Sequence, residues 1–148
     1  MSKAPLHCRS FKFEADFVDS LRCIPMAVRR KLDLCGRKVK LQQWLSMPET
    51  ERIEIFAWAD SKEELRKLEQ HLKPNSSEIT IEPNQSWQNC EKIPKNLLIS
   101  CQQIGENPPS LEQWRGLDEL ERFALVKLSH PGHEHRNLAA ALREFLAR

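Results

Sequence analysis

With 148 residues, 40% of them hydrophobic and 30% charged, the chain has the make-up of an ordinary globular protein, long enough to bury a core without staples. Its formal net charge of +2 gives it no polyelectrolyte character. The basic residues Arg29, Arg30, Lys31, Arg37, Lys38 and Lys40 form one local cluster, which reads as a solvated face rather than a nucleic-acid stripe.

Met1 to Ser10 has no periodicity and is expected to be a flexible tail. Phe11, Phe13, Ala15 and Phe17 alternate with polar residues, the period of a half-buried strand. From Ile24 the period changes, and Ile24, Val28, Leu32 and Cys35 share one helical face between Pro25 and Gly36. Leu41 to Met47 reads as a short helical turn, and Pro48 opens a second main helix to about Ala59, with Glu49 and Glu51 at its positive end. Ser61 and Glu64 begin a third helix, with Leu65, Leu68 and Leu72 as its apolar stripe. Asn75 to Lys92 is polar and irregular, although Ile79 to Ile81 is a candidate strand to pair with Phe11 to Ala15. A helical face then restarts at Pro94 and closes at Gly105. Ser110 with Gln113, and Asp118 with Glu121, are capping-box pairs for further helices. Pro131-Gly132 forces a turn, and a last helix runs from about Glu134 to Ala147 with Leu138, Leu142, Phe145 and Leu146 inward.

One pattern is written twice. At an offset of 70, Leu41, Gln43, Trp44, Glu49, Glu51 and Arg52 match Leu111, Gln113, Trp114, Glu119, Glu121 and Arg122. One residue less in the offset aligns Ile24-Pro25 with Ile93-Pro94 and Gly36 with Gly105. The expected fold is therefore mainly α: two tandem three-helix units, 11–73 and 79–148, in a pseudo-twofold relation and joined by a polar linker, with room for a short two-stranded ribbon. Together they are read as one compact domain covering 11–148. The repeated Trp reads as a core anchor, and the repeated Arg as paired with an acid or a helix end.

The five cysteines are widely spaced and include no Cys-x-x-Cys pair, which argues against a disulfide framework and a self-contained zinc or iron–sulfur site. In the internal alignment Cys35, Cys90 and Cys101 face Ile104, Leu21 and Leu32, so they are expected to be buried, whereas Cys23 faces Lys92 and is expected near the surface. His130, His133 and His135 flank a turn, but their spacing fits no standard zinc motif. No nucleophile elbow, carboxylate pair or phosphate-cradling glycine loop is visible, so the chain is read as a non-enzyme with no cofactor. No apolar run is long enough to span a bilayer, and Met1 to Arg9 lacks a signal-peptide core, so a cytoplasmic location is expected.

Two stretches, Phe11-Lys-Phe-Glu-Ala-Asp-Phe-Val-Asp-Ser-Leu-Arg-Cys-Ile-Pro-Met26 and Glu121-Arg-Phe-Ala-Leu-Val-Lys-Leu-Ser-His-Pro-Gly-His-Glu-His-Arg-Asn137, resemble the nitrate-reductase-associated protein family. These are small cytoplasmic proteins of cyanobacteria and some other bacteria, encoded near assimilatory nitrate reductase. The resemblance implies a non-enzymatic accessory or maturation factor that binds the nitrate reductase apo-enzyme or its cofactor-insertion machinery. It brings no catalytic residues. Arg22, Cys23, His133, Glu134, Arg136 and Asn137 are the interaction-surface candidates from the two stretches. The alternative is a metal- or cofactor-binding carrier of the same pathway, with His133, His135 and Cys23 as ligands.

Overall fold

Proline and glycine punctuate the chain where its first long helices begin and end. The computed structural model describes residues 4–15, 20–130 and 136–147, Arg136 by its backbone alone. These fall into two units, Met1–Glu82 and Pro83–Arg148.

In the first unit, α1 (Met26–Cys35) follows Pro25, whose missing N–H costs nothing at a helix start. It stops at Gly36, which takes the left-handed conformation at φ 79° and donates its N–H to Leu32 O at 3.0 Å. Next come β1 (Arg37–Lys38) and the short α2 (Leu41–Ser46), whose Gln43 carboxamide accepts the Lys40 N–H at 2.9 Å. α3 (Glu49–Ala57) carries Glu49 and Glu51 in its first turn, where the helix dipole favours them. α4 (Lys62–Leu72) is capped by Ser61, whose hydroxyl accepts the Glu64 N–H at 3.2 Å. β2 (Ser77–Glu78) returns antiparallel to β1, with Arg37 opposite Glu78 and Lys38 opposite Ser77. Ile24, Val28, Leu32, Val39, Trp44, Met47, Ile55, Leu68 and Leu72 close the core of this unit.

The second unit runs through a similar order of helices, and its first long helix again lies between a proline and a left-handed glycine. A 3₁₀ turn, Ser86–Gln88, buries Trp87, and α5 (Lys95–Ile104) begins after Pro94 and ends at Gly105, φ 70°. α6 (Leu111–Gly116) and α7 (Glu119–Leu128) both open on reciprocal capping boxes, Ser110 with Gln113 and Asp118 with Glu121. α8 (Arg136–Leu146) packs on α7. Apolar side chains at helical spacing, among them Leu97, Trp114, Leu120, Phe123, Leu125, Leu138 and Leu142, are buried, together with Ser100, Glu121, Arg122 and Ser129. Trp87 meets Phe123 edge to face, ring centroids 5.1 Å apart.

The twice-written residues have a concrete job. Trp44 and Trp114 are almost fully buried, and each indole N–H reaches back to the segment before the first helix of its unit, Trp44 to Leu21 O at 2.7 Å and Trp114 to Asn89 O at 2.9 Å. The arginines reach back too: Arg52 donates to Leu21 O at 2.7 Å, and Arg122 to Trp87 O at 3.0 Å and to Leu117 O. Leu21 and Trp87 are not the acids or helix ends expected from the sequence, whereas Leu117, the residue that closes α6, is a helix end as expected. A carbonyl outside regular structure has no ladder partner, so a planar multi-donor guanidinium satisfies it well.

Four further expectations need correction. The alternation at Phe11 to Ala15 is a 3₁₀ turn, Lys12–Glu14, not a strand; Phe17 lies outside the described residues. Glu14, which a strand would turn outward, is buried. Ile79 to Ile81 does not pair with this segment: Ile79 N donates to Gly36 O at 3.0 Å, so residues 77–81 complete the first unit. Within the expected tail, Leu6–Cys8 is a 3₁₀ turn that packs on α1 and α3. Cys35 and Cys101 are buried as expected, but Cys90 is half-buried on the loop before α5, as is Leu21, its counterpart in the internal alignment.

Candidate functional site

Leu21 takes a left-handed backbone at φ 54°, unusual for a leucine, while Trp44 and Arg52 hold its carbonyl from two sides. This fixes the backbone just ahead of Arg22 and Cys23, late in the first motif stretch. Arg22 follows it exposed and Cys23 half-buried. Glu14 fixes the other end of the segment: its carboxylate accepts the Phe11 N–H and the Met26 N–H, both at 3.1 Å, and so caps α1 from twelve residues away. Arg29 adds a bond to Ile24 O at 3.1 Å. Burial lowers the pKa of its guanidinium, although the nearby Glu14 carboxylate works in the opposite direction.

The candidates from the second stretch fall differently. Arg136 begins α8 and Asn137 is half-buried in its first turn, both in the second unit, whereas Arg22 and Cys23 belong to the first. His133, Glu134 and His135 lie outside the described residues. Among the described residues, no group of three His, Cys, Asp or Glu side chains could hold a metal ion.

The basic cluster of the first unit is no solvated face. Lys31 is completely buried, and its ammonium donates to Ile55 O, Phe56 O and Trp58 O at 2.7, 2.8 and 2.9 Å, which closes the C-terminal end of α3. Burial pulls this lysine down to about 8. Arg30 is buried against Asp60 at 2.9 Å, and burial pushing the Asp60 carboxyl up is outweighed by that hydrogen bond and charge, so it titrates below the ordinary range. Arg37 pairs with Glu69 at 3.2 Å. Of the cluster only Lys38 and Lys40 are exposed, so the fold spends the charges of Arg30, Lys31 and Arg37 internally instead of offering them to a polyanion.

Each unit also carries a cleft. In the first, a groove of about 430 Å³ runs beside α1 and α4, floored by Leu34, Cys35, Leu65 and Ile81. Glu69 stands at its side, and its second carboxylate oxygen is buried without a hydrogen-bond partner among the described residues. Burial raises the Cys35 thiol to about 11, which leaves it a neutral lining group at physiological pH. In the second, a cleft of about 360 Å³ lies at the start of α5, bordered by Lys92, Pro94, Lys95, Asn96, Val126 and His130. Lys95 escaped the sequence reading, and Lys92 entered it only as the counterpart of Cys23 in the internal alignment, which sets Lys95 against Met26.

Large apolar side chains are exposed in both units. Leu41 and Leu45, one turn apart on α2, are 50% and 48% exposed, and Ile53 on α3 is 51% exposed. In the second unit Leu98, Ile99 and Leu111 are exposed. No helix among the described residues is long and apolar enough to cross a membrane.

A family model described as conserved nitrate reductase-associated protein matches residues 10–145, nearly the whole chain, and the chain belongs to that family. No curated protein and no solved structure matches it.

Proposed function

From that membership we propose that the chain is a non-enzymatic accessory factor for nitrate reductase, acting through protein–protein binding while the apo-enzyme matures. The match over residues 10–145 carries this reading. Two features of the fold support a binding role. The Arg22 to Cys23 segment is held rigidly by Trp44 and Arg52, which suits recognition by a partner. The exposed Leu41 and Leu45 give α2 an apolar stripe of the kind found at the centre of interfaces. On this reading the site acts where the reductase folds, and the acceptor is the apo-enzyme or the machinery that loads its cofactors.

The test is a deletion strain grown on nitrate, in which reductase protein, its metal content and its activity are all measured. The expected result is reductase protein with depressed loading and activity, restored by the wild-type chain and not by Leu41→Glu/Leu45→Glu. Full activity of a fully loaded reductase without this protein would refute the proposal.

A further inference from the structure

The two units finish one corner of the repeat in opposite ways. In each, the repeated tryptophan holds a carbonyl shortly before the first long helix, Leu21 O for Trp44 and Asn89 O for Trp114. In the second unit the residue after that tryptophan, Arg115, pairs at 2.6 Å with Glu91, two residues beyond the held carbonyl. In front of them, Ser110 caps α6 by accepting the Gln113 N–H at 3.1 Å. The corner is thus closed by an ion pair and a cap of its own.

The first unit leaves the same corner open. Leu45 stands in the place of Arg115, and Lys40 in the place of Ser110. Arg22 follows the held carbonyl of Leu21 and Leu45 follows Trp44, so the 2.7 Å bond between that indole and that carbonyl brings the two backbones together. Arg22, Lys40, Leu41 and Leu45 are all exposed, and among the described residues none pairs with Arg22. A cation at the positive end of a helix does not help the fold, so Lys40 is not there to stabilise α2. The helix itself, Leu41-Gln-Gln-Trp-Leu-Ser46, carries no acid, and the chain turns acidic only past Pro48, at Glu49 and Glu51 of α3. α2 therefore offers two leucines one turn apart, with Lys40 at one end and Arg22 at the other.

We propose that α2 and Arg22 dock an acidic amphipathic segment of the apo-reductase, whose apolar side chains cover Leu41 and Leu45 and whose carboxylates reach Arg22 and Lys40. Charge complementarity selects this occupant. A basic segment would meet two like charges, and a purely apolar one would leave the Arg22 guanidinium without a counterion at the rim of a dehydrated patch. The spacing of Leu41 and Leu45 is that of one helical turn, the interval at which an amphipathic helix presents its own apolar residues. The clamp on Leu21 O holds the backbone that carries Arg22, so the cation is set in place before the partner arrives. The inference rests on the accessory reading and adds to it the chemistry of what is recognised.

The test is equilibrium binding of the full chain to purified apo nitrate reductase at about 50 and about 300 mM salt, followed by zero-length carbodiimide cross-linking of the complex. Arg22→Glu/Lys40→Glu, at two exposed positions, is expected to weaken binding about tenfold or more at the lower salt and less at the higher, without loss of melting temperature. Lys92→Glu/Lys95→Glu, the same change of charge in the second unit, is expected to bind as the parent does. Carbodiimide joins an amine to a carboxylate in contact with it. It is expected to link Lys40 to an Asp or Glu of the reductase, and Lys40→Arg to lose that link while keeping the affinity. Undiminished binding by the Arg22/Lys40 variant, an equal loss in the Lys92/Lys95 variant, or a Lys40 link to a second copy of this chain would overturn the docking chemistry and leave the accessory reading standing. No binding of the parent by about 10 μM would overturn it as well, and the deletion strain then decides the accessory reading alone.

Discussion

Replacing Lys31 by methionine keeps the length of the side chain and removes its charge and its donors. Three carbonyls at the end of α3, those of Ile55, Phe56 and Trp58, then lose the ammonium that sits 2.7–2.9 Å from them. Hydrogen bonds to a charged group contribute about 1.5–3 kcal/mol each, so the three together contribute roughly 4–9 kcal/mol. Against this stands the cost of burying the charge. A fall from 10.5 to about 8 corresponds to about 3 kcal/mol in favour of the neutral form. The expected net loss in Lys31→Met is therefore about 1–6 kcal/mol, measured by urea denaturation at pH 7, and several degrees in Tm. The pH dependence has a definite sign. Between about 8 and the ordinary lysine value near 10.4 the folded state has released the proton and the unfolded state still holds it, so this group makes stability rise with pH. The penalty of Lys31→Met should accordingly grow from pH 7 to pH 10. A variant as stable as the parent at pH 7, or a penalty that shrinks toward pH 10, would refute the reasoning.

Two other outcomes follow from the same physics. Burial holds the Cys35 thiol at about 11, so the unfolded state ionises first and stability falls as pH rises from about 9 to 11. Cys35→Ala should remove about 2–3 kcal/mol of that alkaline loss, read from denaturation curves across the window. Gly36 and Gly105 share the left-handed conformation, but a Cβ on Gly36 would lie 2.9 Å from Ile81 Cγ1 and 3.2 Å from Ile79 O, whereas Gly105 has nothing within 4 Å. Gly105→Ala should cost about 1–2 kcal/mol and Gly36→Ala about 1–3 kcal/mol more, with the reverse order excluding the packing argument.

What could be read in the sequence was local. Ser110 with Gln113, Asp118 with Glu121, and the stops at Gly36 and Gly105 all act within one turn of their own helix, and each appears where the spacing put it. What could not be read depends on partners far along the chain. Lys31 is buried because carbonyls 24 to 27 residues away receive it, and Glu14 because Met26 needs an acceptor twelve residues on. A charge cluster and an alternating phenylalanine run look the same on paper whether or not such partners exist. The phenylalanine period proved misleading for that reason: Phe11 and Phe13 stack at 5.5 Å across a 3₁₀ turn, which brings alternate residues together much as a strand face does. The cleft at α5 was legible only as a contrast between two copies of one pattern, since neither Lys92 nor Lys95 belongs to a motif.

The doubly held carbonyl of Leu21 bears on how tightly Arg22 and Cys23 can be recognised. A free loop surrenders backbone freedom on meeting a partner, roughly 1–2 kcal/mol for each residue that becomes fixed. Here the indole of Trp44 and the guanidinium of Arg52 have taken that freedom away during folding, along with the strain of a leucine at φ 54°. The folding free energy of the first unit has thus absorbed an entropic cost that association would otherwise carry. Loosening the clamp should slow complex formation without touching a single residue at the interface.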